Sequence, residues 1–133
     1  MTWSIKFDSV TNIVEIVLSG LVTAEELTEA ATERIRLQKE HGTSLTLADA
    51  SQIAKLEAGI LDVHKLPAEI YKSVHADRTT NIALVSPRLQ DAIKIAKHYE
   101  TASVNRGWNV RMFQDRTQAI AWLLEKKPST GAD

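Results

Sequence analysis

YETASVNRGWNVRMF, Tyr99 to Phe113, compresses a helix end, a stop and a strand into one short stretch. Lys97 to Asn105 reads as the last turns of a helix, Gly107 as the left-handed residue that ends it, and Trp108 to Phe113 as the strand that follows at once. A helix handing directly to an apolar strand is the beat of an alternating α/β chain. Upstream, Asn81 to Val85 is almost wholly apolar, the composition of a central strand covered on both faces. Ser86 and Pro87 then supply an expected N-cap and first-turn proline. The helix they introduce turns Leu89, Ala92, Ile93, Ala96 and Tyr99 inward and Lys94, Lys97 and His98 outward. Downstream, Asp115 with Gln118 resembles a capping box, and Ala119, Ile120, Leu123 and Leu124 give the last helix its buried stripe.

The N-terminal half supplies the rest of the layer. Trp3, Ile5 and Phe7 alternate with polar residues, Asp8 to Thr11 turns the chain, and Ile13 to Leu18 returns it, which predicts an antiparallel hairpin. Thr23 and Glu26 form a capping box for a helix over Ala24 to about Glu40. Its inner stripe is Leu27, Ala30, Ala31 and Ile35, its wet face Glu25, Glu29, Glu33, Arg36 and Lys39, and Gly42 stops it. Leu45 to Ala50 reads as a third strand, followed by helical pieces over Leu56 to Lys65 and Pro67 to His75, broken where Pro67 lacks an N–H. The sum is an α/β domain with a mixed, mostly parallel sheet of about five strands and helices on both faces. It spans residues 1–127 as one unit, with the composition of a disordered tail over 128–133.

Composition excludes more than it assigns. The 133 residues carry 16 basic and 17 acidic side chains, a formal net charge of -1, with the signs interspersed, so no nucleic-acid footprint stands out. The absence of cysteine removes thiol catalysis, iron–sulfur clusters and cysteine zinc sites, and suits a reducing cytoplasm. Met1 to Phe7 alternates as a strand does and lacks the pattern of a signal peptide. The apolar runs are far shorter than the roughly 20 residues that span a bilayer.

No motif reaches a catalytic signature. The glycines stand alone, so no phosphate-cradling loop is built, and His41, His64, His75 and His98 form no helical metal pair. Neither a cofactor nor a metal is implied. Ser51 and Ser86 follow strands, where ligands collect in open α/β sheets, but a turn and a cap explain them. Asp49, at the end of a strand, is a lone carboxylate able to hold a ligand or close a turn. Glu100, Asn105 and Arg106 make the densest polar cluster: Arg106 could take an anion and Asn105 offer an amide, or all three could tie down a helix end. Trp3, Trp108 and Trp122, with Tyr71 and Tyr99, either line an apolar pocket or fill the core.

The order of elements, with Leu18, Ser19, Gly20 and then Thr23 to Leu27, resembles the SpoIIAA-like proteins of the STAS superfamily over Trp3 to Leu124. ETASVNRGWNVRMFQDRTQAIAWL, Glu100 to Leu124, is the distinctive part, similar to the C-terminal segment of a bacterial SpoIIAA-like branch related to STAS and CRAL-TRIO proteins. The resemblance implies a mixed sheet with helices on both sides. In the superfamily's anti-sigma-factor antagonists a serine in an Asp-Ser-Ser-Gly turn is phosphorylated; that turn aligns with Leu56, Glu57, Ala58 and Gly59, which puts Ala58, without a hydroxyl, at the phosphoacceptor place. Glu57 offers a fixed carboxylate beside it. CRAL-TRIO relatives hold lipids in an apolar cavity, which here would draw on Trp3, Tyr71, Tyr99, Trp108 or Met112. The expectation is a non-catalytic cytoplasmic domain that binds a protein partner or a small apolar ligand, as a homodimer, through Tyr99, Glu100, Asn105, Arg106, Asp49 and Glu57. Two alternatives are a lipid carrier and a small enzyme with Asp49 or His64 as acid or base.

Overall fold

The computed structural model describes residues 2–126; the expected tail over 128–133 lies outside them. The elements run β1 (Trp3–Asp8), β2 (Ile13–Thr23), α1 (Ala24–His41), β3 (Leu45–Glu57), α2 (Ile60–Lys65), a π-turn (Leu66–Ile70), α3 (Tyr71–Ser73), β4 (Asn81–Val85), α4 (Gln90–Asn105), β5 (Asn109–Phe113) and α5 (Arg116–Lys126). They build a five-stranded sheet in the order β1-β2-β3-β4-β5. β1 pairs antiparallel to β2 and the remaining neighbours pair parallel. The mixed, mostly parallel α/β architecture expected from the sequence is the one observed.

Because side chains alternate along a strand, each strand serves both faces. Leu45 and Leu47 of β3 and Ala83 and Val85 of β4 face α5, where they pack with Ala119, Trp122 and Leu123. Their neighbours in sequence turn to the other side: Ala48 and Leu84 meet Ala30 of α1 and Ala96 and Tyr99 of α4, and Ile82 joins Tyr71 and Trp108. One face is covered by a single helix, the other by α1, α4 and the α2–α3 segment.

Local signals explain most boundaries. Glu26 N–H donates to Thr23 Oγ1 (3.2 Å) and Thr23 N–H to Glu26 Oε1 (3.1 Å), the predicted capping box. Thr2 Oγ1 adds a further bond to the same carboxylate, and these donors together hold the Glu26 carboxyl below its usual range. Gly42 ends α1 at φ 63°. Gly107, at φ 85°, lets the chain turn from α4 toward β5, and a Cβ there would stand 3.1 Å from Arg78 Nη2.

Several expectations are corrected. β3 does not end at Ala50: β2 and β3 continue past the rest of the sheet and pair with each other from Ser19↔Gln52 to Thr23↔Glu57, so Leu56 belongs to a strand and not to a helix. Two register shifts in β2, flanking Ser19–Gly20, accommodate this extension. Pro67 does not restart a broken helix. It sits inside a π-turn, closed by Tyr71 N–H donating to the Leu66 carbonyl, so the missing donor is absorbed while the helical path continues. Ser86 does not cap α4: its buried hydroxyl donates to the Pro87 carbonyl (2.9 Å), and the helix begins later, with Leu89 as its N-cap and exposed. Trp108 precedes β5 and is buried in one cluster with Ile35 of α1, Tyr71 and Ile82. On α5, Gln118 N–H donates to Asp115 Oδ1 (2.8 Å), one half of the expected box, while Trp122 takes the buried place assigned to Leu124, which is exposed.

Candidate functional site

The face covered by α1 and α4 contains a cavity of about 110 Å³. Its cause is in the sequence. Ala30 and Ala31 of α1, Ala48 and Ala50 of β3, and Ala92 and Ala96 of α4 all line it, so three facing elements present methyl groups where larger side chains would meet. On the opposite face the same strands offer Leu45 and Leu47 to Trp122 and Leu123, and the space is filled. Ile16, Leu18, Leu27, Ile82 and Leu84 complete an almost wholly apolar wall, and Val63, Leu66 and Tyr71 bring the α2–α3 segment, with its π-turn, against the void.

Polar chemistry gathers at one part of this lining. Arg34 and Thr46 belong to it, as do Tyr71 and Tyr99, whose hydroxyls are hydrogen-bonded to each other. Burial, and then the neighbouring Tyr71, push the Tyr99 hydroxyl well above its ordinary pKa, so the Tyr99 phenol stays protonated at neutral pH. Arg34 is 3% exposed. Its guanidinium lies 5.0 Å from the Tyr71 ring centroid, and its Nη1 donates to Gln38 Oε1 (2.8 Å). Gln38 is itself held: Thr46 Oγ1 donates to Oε1 (2.8 Å), and Nε2 donates to Thr80 Oγ1 (3.1 Å) and the Thr43 carbonyl (3.2 Å). Among the described residues, no carboxylate pairs with Arg34.

The residues singled out from the sequence scatter. Tyr99 is in the cavity wall, with Tyr71; Trp3, Trp108 and Met112, also expected there, are not. Trp108 packs edge-on against Tyr71 from behind, 5.1 Å between centroids. Glu100 accepts a hydrogen bond from Met112 N–H (2.8 Å), fastening α4 to the edge strand β5. Asn105 is exposed at the end of α4. The exposed Arg106 donates from Nη2 to His64 Nε2 (3.1 Å), while its carbonyl accepts from Arg78 (2.7 Å). The expected Glu100–Asn105–Arg106 cluster is thus three separate contacts. Glu57 ends β3 at the surface, 3.5 Å from Lys55 Nζ, and Ala58 lies in the connection to α2.

Asp49 is on the other side of the sheet. It is 2% exposed, its Oδ1 accepts from the Ser51 N–H (2.9 Å) and hydroxyl (2.6 Å), and its Oδ2 from Arg116 Nη1 (3.1 Å). Arg116 Nη2 also pairs with Glu15 (3.0 Å). Burial alone would raise the Asp49 carboxyl, but the Ser51 donors and Arg116 outweigh it and leave the pKa below its ordinary value. Asp49 and His64 lie on opposite faces and share no site. Among the described residues, no three acidic or histidine groups lie close enough to hold a metal ion, and no helix is long and apolar enough to cross a membrane.

Arg34 and Gln38 were missed by the sequence reading, although a signal existed. Leu27, Ala30, Ala31, Arg34, Ile35 and Gln38 share one helical stripe, so a cation and an amide stand on the face that packs.

A sequence pattern described as SpoIIAA-like matches residues 13–124. Among solved structures the chain is similar to an uncharacterized protein of the DUF3478 family with a SpoIIAA-like fold from Shewanella loihica PV-4. That match has 16% sequence identity, 91% of each chain covered and a TM-score of 0.53. At such identity the likeness concerns the fold alone. No curated protein matches the chain.

Proposed function

This chain belongs to the SpoIIAA-like family, and we propose that it is a non-catalytic domain that binds a small apolar ligand between its sheet, α1, α4 and the α2–α3 segment. The observation that carries this reading is the alanine-walled cavity of about 110 Å³. Protein interiors are otherwise close-packed, and apolar wall left uncovered in a pocket forgoes roughly 25 cal/mol per Å² of burial energy. An occupant would recover that energy. The π-turn supports the same reading: such turns recur at functional sites, and this one sets Leu66 and Tyr71 against the void.

Ala58 at the phosphoacceptor place leaves a serine kinase no hydroxyl to modify, which favours occupancy of the cavity over phosphorylation as the controlled variable. A protein partner is a second reading, favoured by Ile60 and Leu61, which stand 48% and 76% exposed at the start of α2, where a partner would sense the segment beside the cavity.

Native mass spectrometry of protein purified without detergent, compared with the same sample denatured, tests the ligand reading and reports monomer or homodimer at once. Extra mass that leaves on denaturation supports it. A bare protein whose melting temperature is also unmoved by a panel of small apolar compounds contradicts it.

A further inference from the structure

We infer, resting on the cavity reading above, that the ligand is a small monocarboxylate whose hydrocarbon part fills the alanine-walled void and whose carboxylate pairs with Arg34. An arginine never gives up its proton in a protein, so Arg34 carries a full positive charge into the interior. Buried charges are ordinarily paired, because an uncompensated one costs several kcal/mol. Arg34 is 3% exposed, and its bonded acceptor is the neutral amide oxygen of Gln38. The same protein pairs its other sheet-facing arginine, Arg116, with two carboxylates.

The surroundings hold this charge in place. Thr46, Thr80 and the Thr43 carbonyl fix the Gln38 amide so that its oxygen meets Arg34, and the Tyr71 ring supports the guanidinium plane. Of the five guanidinium N–H donors, only Nη1 meets a protein acceptor among the described residues, and Arg34 borders the cavity. In the Tyr71–Tyr99 pair one hydroxyl donates to the other, and the second keeps its own proton to give. A guanidinium fork and one phenol proton match the two oxygens of a carboxylate. A phosphate, with more oxygens and more charge, would find too few donors in a wall that is otherwise hydrocarbon.

Size limits the rest of the molecule. A cavity of about 150 Å³ accepts benzene, so one of about 110 Å³ suits a hydrocarbon part of roughly four or five carbons.

Calorimetric titration of the whole protein at neutral pH with isovalerate, isovaleramide and isoamyl alcohol tests the inference, because the three differ at the head group and share the tail. Isovalerate should bind at least about tenfold more tightly than the amide, the worth of one charge-assisted bond over a neutral one. Arg34→Met should erase that preference while isoamyl alcohol still binds. If Arg34→Met fails to fold, Arg34→Lys replaces it: the preference for the anion should persist at weaker affinity, because the charge stays and the fork is lost. Equal binding of all three compounds by the wild type overturns the carboxylate assignment and leaves the apolar-ligand reading standing. Binding of none of them, with no change of melting temperature, overturns both.

Discussion

Two arginines reach this sheet from opposite faces, and they meet different company. Arg116, in the first turn of α5, bridges Asp49 and Glu15 and closes a packed face where Leu45, Leu47, Trp122 and Leu123 leave no room. Arg34, in the middle of α1, meets an amide, an aromatic ring and a void. The strands are the same; only the alternate side chains differ. The comparison teaches that one face is closely packed while the other leaves a pocket, and that the difference is written in leucine against alanine and in carboxylate against amide.

Substitutions that strike the two faces separately put this to the test. The largest effect belongs to the packed face. Leu47→Ala, at a residue 1% exposed, should lose about 3–4 kcal/mol of stability by urea denaturation. Next come the arginines. Arg116→Met should cost on the order of 2 kcal/mol, because it strips a buried Asp49 of its cation, whereas Arg34→Met should leave the unliganded protein unchanged or more stable, since no carboxylate is orphaned. Equal losses in the two variants would erase the contrast. Enlarging an alanine should then split by sign: Ala119→Leu, at a wholly buried position on the packed face, should destabilise by about 1–2 kcal/mol, and Ala96→Leu should be neutral or stabilising by filling the void, with loss of ligand binding.

A pH scan sharpens the same comparison. The Asp49 carboxyl titrates lower in the folded protein than in the unfolded chain, so its contribution is complete above the ordinary carboxylate value of about 4 and is lost as pH falls through the depressed folded value. The urea midpoint of the wild type should fall over that acid window, and Asp49→Asn should flatten the fall. The smallest effect is expected at Arg106→Ala, within about 0.5 kcal/mol by thermal melting, because its contact with His64 is exposed. A collapse of stability there would make the helix end a structural keystone.

The fold was legible where local chemistry decides it. Gly107 stops α4, Thr23 and Glu26 cap α1, and Asn81 to Val85 is a central strand, each for reasons contained within a few residues. Legibility failed where a distant segment decides. The last residues of β3 look helical beside Lys65 until β2 extends alongside to pair with them. Ser86 followed by proline reads as a cap until Pro87 is seen buried beyond the end of β4, in the cavity lining, with α4 starting at Gln90. The site was half legible. Tyr99 and Tyr71 were singled out as wall residues, but six alanines from three elements make a void only once those elements face one another. Asp49 looked like a site because it ends a strand, and its neighbours Ser51 and Arg116 reveal a structural carboxylate.

The central claim is that the face against α1 and α4 is built around a void that takes an apolar guest, while the face against α5 is full. Methyl NMR of the protein under xenon pressure measures this directly, because xenon enters dry apolar cavities and shifts the methyl groups it touches. The account predicts saturable shifts at Ile16, Leu18 and Leu84, and none at Leu45, Leu47 and Leu123. Shifts of equal size on both faces, or none on either, would contradict it.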